Sequence, residues 1–248
     1  NLYYSCANAI LKMFPLNITE ADWVEAEAVD KLILDIGEKI TLDSEEKIVA
    51  ARTAYGALDL KHKSLVQFLE ILEIAETDLL ECKIDAIGEV TLDKRAEIEA
   101  ILAAYNALTA TQQKYVKNYS ILNAADIALQ GLINAQVAAE MQKIIDAMKD
   151  AKDITLDDYD YVMGIKAKYD ALKFLQRQLV DATKLEAALA KITELRQEKI
   201  EHLKKLIASI GEVTLEDEAI IVEAVAIFDW LTLDERNQVD YITLNAAE

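Results

Sequence analysis

Internal repetition restricts this chain's fold more than any other feature. Gly37-Glu-Lys-Ile-Thr-Leu-Asp43, Gly88-Glu-Val-Thr-Leu-Asp93 and Gly211-Glu-Val-Thr-Leu-Glu216 are near copies, and Asp153-Ile-Thr-Leu-Asp157 is a fourth without the glycine. With Thr41, Thr91, Thr155 and Thr214 as anchors, the residue 14 positions on is Tyr55, Tyr105, Tyr169 or Phe228. The residue 17 on is Leu58, Leu108, Leu172 or Leu231, and 25 on it is Val66, Val116, Val180 or Val239. Self-similarity of this kind is the mark of stacked supersecondary units. The intervals from Thr41 to Thr91, Thr91 to Thr155 and Thr155 to Thr214 are unequal, so length varies only between the third element of one copy and the first of the next. Leu16 and Val24 keep the same spacing as Leu108 and Val116, so residues 1–29 read as the back half of a preceding copy. Copies one to four then occupy 30–83, 84–138, 139–198 and a truncated 199–248. Both ends are read as cuts inside repeats, with any signal or anchor outside the sequence.

Each copy is predicted to hold three helices. With only 6 Gly and 1 Pro in 248 residues, a β-rich fold has no turn residues to spend, whereas the many Ala, Leu, Ile, Glu and Lys suit helices. The first helix is marked by Leu32, Ile33 and Ile36, by Ile144, Ile145 and Met148, and by Leu203, Leu206, Ile207 and Ile210. Gly37, Gly88 and Gly211 follow as helix-ending residues with positive φ. The anchor threonines are predicted N-caps of the second helix, with an acid two residues later. In that helix Ile48, Ala51, Tyr55 and Leu58 share one face with their counterparts Ile98, Ile101, Tyr105 and Leu108, and Ile221, Ala224, Phe228 and Leu231, and are predicted core. The third helix starts at capping boxes Thr109…Gln112 and Thr232…Glu235, or at Asp59, passes the repeated valine, breaks near Asn118-Tyr119 and flows into the next copy. The expected fold is all-α: a tandem array of three-helix bundles forming an elongated rod, monomeric in solution.

Charge and composition exclude several functions. Lys and Arg number 26 against 45 Asp and Glu, a net charge of −19 spread along the chain, so nucleic acid and anionic membrane surfaces are disfavoured. No apolar run approaches the roughly 18 residues of a spanning helix, so no membrane insertion is expected. Cys6 and Cys82 are read as two buried free thiols. His62 and His202 lie in Lys-rich stretches with no nucleophile placed against either, and are read as solvated helix-face residues. Asp153, Asp157, Asp158 and Asp160 lack the Gly and terminal Glu of a calcium loop and read as helix-start acids. No catalytic residue, cofactor or metal ligand is assigned, and an enzyme is not expected.

The run Ile87–Asp93, Ala100–Thr109 with Tyr105, Gln113–Tyr119 and Leu122–Ala125 resembles the tandem three-helix repeats of large secreted and cell-wall-attached proteins of Gram-positive gut bacteria. Copies one and four carry most of this pattern, and copy three departs furthest. The resemblance implies an extracellular or wall-attached location and a stalk between functional modules. It also implies kinship with three-helix bundles that bind host proteins such as immunoglobulin or albumin.

Candidate binding residues are those that break the repeat in the apolar direction. Copy three holds Tyr159 and Tyr161 where other copies carry Glu45, Arg95, Glu218, Lys47, Glu97 and Ile220, and Phe174 where copy two has Ala110, with Arg177 nearby. Tyr159, Tyr161, Phe174 and Arg177 are therefore the candidate protein-binding residues. Packing against the neighbouring copy's helix is the competing explanation of the aromatics, and Leu60, Phe68, Trp23 and Trp230 are weaker candidates of the same kind. The expected function is a protein-binding surface segment, with a host immunoglobulin-type partner foremost. A passive spacer and an accessory domain of a larger secreted enzyme are the alternatives.

Overall fold

The computed structural model describes residues 18–210, 213 and 217–247. Cys6, Leu16, Gly211 and Thr214 lie outside the described residues, and with them the expectations attached to them. The chain is all-α, with no strand among the described residues.

The end of α1 (Glu20–Asp35) follows the glycine rule. Gly37 takes φ of +87° and its amide donates to the Leu34 carbonyl at 3.3 Å, a conformation that a Cβ would strain. Gly88 also takes a positive φ, +60°, after α4 (Leu69–Asp85). Copy three, without the glycine, leaves α7 (Tyr119–Asp146) through a 3-10 turn, Ala151–Asp153. The anchor threonines then stand one turn earlier than predicted. Thr41, Thr91 and Thr155 are extended and precede the 3-10 turns Leu42–Ser44, Leu92–Lys94 and Leu156–Asp158. These run into α2 (Glu45–Ala57), α5 (Arg95–Ala107) and α8 (Tyr159–Asp170). In copies one and three the residue three on provides the capping acceptor: the Thr41 amide donates to the Ser44 hydroxyl at 3.1 Å, and the Thr155 amide donates to Asp158 at 2.9 Å.

The predicted core face holds at its centre and thins at its edge. Ile48, Ala51, Ile98, Ile101, Val162, Ile165, Ile221 and Ala224 are buried, as are Phe228 and Leu231 at the end of α11 (Glu218–Trp230). Tyr55, Tyr105 and Tyr169, at the position where Phe228 is buried, are half-buried rather than buried. Leu32, expected in the core, is 40% exposed, since its neighbour Ile33 already takes the inward position.

The predicted third helix is two helices. Short pieces α3 (Leu60–Lys63), α6 (Ala110–Tyr115), α9 (Phe174–Arg177) and α12 (Leu233–Arg236) stop before the repeated valine; Val116 is extended. Asp59 caps α3 by accepting from the His62 amide at 2.9 Å, and Thr109 and Gln112 form the predicted capping box. Long helices then begin at one shared offset from the anchors, at Leu69, Tyr119 and Thr183, the last opening α10 (Thr183–Ser209). The final helix, α13, is Tyr241–Ala247.

The long helices α4 and α10 each serve two cores. Leu72, Ala75 and Leu79 of α4 pack with Val29, Ile33, Ile48 and Ala51, while its Leu80 and Ile84 pack with Ile98, Ile101, Val116, Leu122 and Leu129. Leu185, Ala188 and Ile192 of α10 pack with Met141, Ile145, Val162 and Ile165, while its Ile200, Leu203 and Ile207 pack with Ile221, Ala224, Phe228 and Leu244. The chain divides into two compact units, Asn1–Ile133 and Asn134–Glu248, the first holding the former pair of cores and the second the latter.

Candidate functional site

The four sequence-predicted residues do not form one site. Tyr159 opens α8, half-buried and packed on the Met141–Ile192 core. The Arg196 guanidinium of α10 lies 4.6 Å from its ring centroid, so Tyr159 is spoken for by packing within its own unit. Tyr161, two residues on and about 200° around the helix, is 48% exposed. Phe174 and Arg177 lie on α9, past the other end of α8, whose last residue is about 14 Å along the axis from Tyr161 at about 1.5 Å per residue.

The α9 end carries a patch larger than sequence reasoning drew. Phe174 is 67% exposed, Leu175 58% and Leu179 57%. Lys173 and Arg177 flank them, both exposed or nearly so, and neither forms a side-chain ion pair among the described residues. The equivalents of Leu175 are Lys61, Thr111 and Asp234, and those of Leu179 are Leu65, Tyr115 and Gln238, of which Leu65 is buried. Only copy three exposes large apolar side chains at all three positions. The patch stands on a fixed base: Gln176 is buried, its Oε1 accepts from the Lys173 amide at 2.9 Å, and its Nε2 donates to Asn134 Oδ1 of α7 at 3.1 Å.

Gln176 belongs to a row that the sequence did not announce. At one shared offset after the anchors stand His62, Gln112, Gln176 and Glu235, the third residues of the short helices. Three of them reach a long helix or α1. His62 Nε2 lies 3.1 Å from Asp22 on α1, and Glu235 takes Arg196 of α10 in a two-pronged pair of 2.6 and 2.5 Å. Gln112 instead faces a cleft of about 450 Å³ lined also by Glu73. The Arg196 site is well enclosed, its side chain 12% exposed and that of Glu235 16%. Arg196 also sits 4.3 Å from the Trp230 ring, so rings of two copies flank one guanidinium. Arg196 holds the Glu235 carboxyl down at about 2. Trp230 is thereby accounted for as packing.

A second row was also missed. One residue past the repeated valine, the Gln67, Lys117 and Asp181 amides donate to Asp30, Glu81 and Gln142 of the long helices and α1, at 3.0, 2.7 and 2.7 Å. Asp30 is buried and also accepts from the Phe68 amide at 3.1 Å, so it satisfies two backbone N–H groups that would otherwise be orphaned. The polar row His62, Gln112, Gln176 and Glu235, at one fixed distance after the anchors, was the available signal.

The histidines diverge from expectation. His202 is exposed and 2.9 Å from Glu223, but the His62 side chain is only 16% exposed because Asp22, Glu25 and Asp59 enclose it. Cys82 is free and half-buried rather than buried, its Sγ 3.7 Å from the Ile40 carbonyl. Asp158, one of the acids read as helix-start residues, accepts from Thr155 and from Lys149 at 2.6 Å. No three His, Cys, Asp or Glu side chains converge as metal ligands among the described residues, and no described helix is long and apolar enough to cross a membrane.

The fold is that of an all-α protein. No family model, curated protein or solved structure matches the chain.

Proposed function

We propose that this chain is a non-enzymatic, protein-binding segment built of tandem three-helix units in series, as in secreted or wall-attached bacterial surface proteins, with the α9 patch of copy three as its contact. The observation that carries this is the exposure of Phe174, Leu175 and Leu179 together, beside two uncommitted cations, at three positions where each other copy exposes one large apolar side chain, Leu60, Tyr115 or Leu233. The core does not require these side chains, and apolar anchors with an Arg at the rim are what interfaces use. Tyr159 leaves the candidate set, and Tyr161 remains outside the patch.

The resemblance in sequence makes a host immunoglobulin-type protein the first partner to test. Purified immunoglobulin passed over the immobilised chain is expected to bind. Replacing Phe174 and Leu175 with their copy-two counterparts, Phe174→Ala with Leu175→Thr, should weaken binding at least tenfold with helical content unchanged. Equal binding by both chains would remove α9 as the contact. No binding to immunoglobulin, albumin or other secreted host proteins would favour the spacer reading. That second reading has its own support in the long helices shared between successive cores.

A further inference from the structure

We propose that His62 is a pH-sensitive latch that tightens the fastening of the first turn of α1 to the short helix α3, beside the Lys61–Asp22 pair, and slackens it when the imidazolium loses its proton. The geometry carries the argument. His62 Nδ1 lies 2.7 Å from Asp59 Oδ1, and Nε2 lies 3.1 Å from Asp22 Oδ1 and 3.5 Å from Glu25 Oε2. Carboxylates accept only, and a neutral imidazole has one N–H, so both ring nitrogens can donate only in the protonated form. After deprotonation, whichever tautomer forms, one nitrogen lone pair faces a carboxylate.

The surroundings make that loss local and consequential. Asp22 is the third residue of α1, its side chain 12% exposed. It also accepts from the Thr19 amide and hydroxyl and from Lys61 Nζ at 2.6 Å, so it joins the α1 cap to α3. The groups facing the ring are thus Asp59 before α3, and Asp22 and Glu25 on α1, with Lys61 on the far oxygen of Asp22. Asp59 foremost, then Glu25 and Asp22, raise the proton affinity of His62 above the ordinary 6.5. A raised folded value means the latch is fully engaged below about 6.5 and is lost as pH rises through that folded value. At the same position copies two, three and four carry Gln112, Gln176 and Glu235, none of which titrates between pH 5 and 9 in these surroundings. Only copy one is so equipped.

The experiment uses the full chain with His202→Gln, which leaves one imidazole to follow by NMR from pH 5 to 9. The His62 Cε1–H resonance should titrate with a midpoint above 6.5, and the amide resonances of residues 19–25 should shift with the same midpoint. The melting temperature should exceed that of a His62→Gln, His202→Gln chain at pH 6, and that advantage should vanish by pH 9. A midpoint at or below 6.5, amides of residues 19–25 that ignore it, or a melting-temperature gap constant across the range would each overturn the latch.

Discussion

At the scale of single residues, depth of burial separates positions that the repeat makes equivalent. Phe228 is 9% exposed and stacks on Tyr241, with ring centroids 4.9 Å apart. Tyr105 is half-buried and stacks on Tyr119 at 4.4 Å. Phe228→Ala should therefore cost roughly 3–5 kcal/mol and Tyr105→Ala roughly half of that, in urea melts followed by circular dichroism. Equal losses would mean that the tyrosine is as much a core residue as the phenylalanine. Asp30 tests a different term. Asp30→Ala strands the Gln67 and Phe68 amides in a buried setting, for about 1–3 kcal/mol. Hydrogen exchange should report the damage at those two amides first.

At the scale of elements, the long helices show how copies differ in length without losing their faces. α4 has 17 residues and α10 27. The surplus of ten is close to three turns, about 10.8 residues, so the added helix of α10 returns its inward residues to nearly the same side. In α4 the two inward faces overlap along one stretch, Leu79 being followed at once by Leu80. In α10 they are separated, Ile192 from Ile200. Two alanines inserted after Asp78 should therefore disrupt a core, because about 200° of rotation, at 3.6 residues per turn, moves one face into water. The same insertion after Glu198 should spare both cores of its unit and break only the Arg196 contacts, lowering the melting temperature far less. This layout was partly legible in sequence: the repeated positions in the second helix named the core, and Gly37 and Gly88 named the helix ends. Spacing fixes an angle around a helix, not a distance from the core's centre, which is why Tyr55, Tyr105 and Tyr169 were placed too deep. The α9 patch was half seen, through Phe174 and Arg177, because the comparison of copies stopped short of Leu175 and Leu179. The polar rows were hidden because their partners, such as Asp30 and Gln67, lie 37 residues apart in an order that only folding brings together.

At the scale of the whole molecule, acidity and coupling set the response to solvent. With its carboxyl held at about 2 instead of the usual 4.5, Glu235 contributes stability that is present above pH 4.5 and lost as pH falls towards 2. Glu235→Gln should cost about 1.5–3 kcal/mol at pH 7, and the gap to the parent chain should narrow steadily in urea melts between pH 4.5 and 2.5. A gap independent of pH would show that the ionised pair adds nothing beyond its shape. The net charge of −19 acts more diffusely. Raising salt from 20 to 200 mM should stabilise a Glu235→Gln chain through screened self-repulsion, while the parent gains less because the same salt weakens its Arg196 pair.

The sharing of α4 and α10 between successive cores means that the stretch repeated in the gene is not the stretch that folds. A copy bounded at residues 30 and 83 severs α1 at one end and α4 at the other. An excised piece that keeps the core around Ile98 must therefore reach back to α4, and one that keeps the core around Ile221 must reach back to α10.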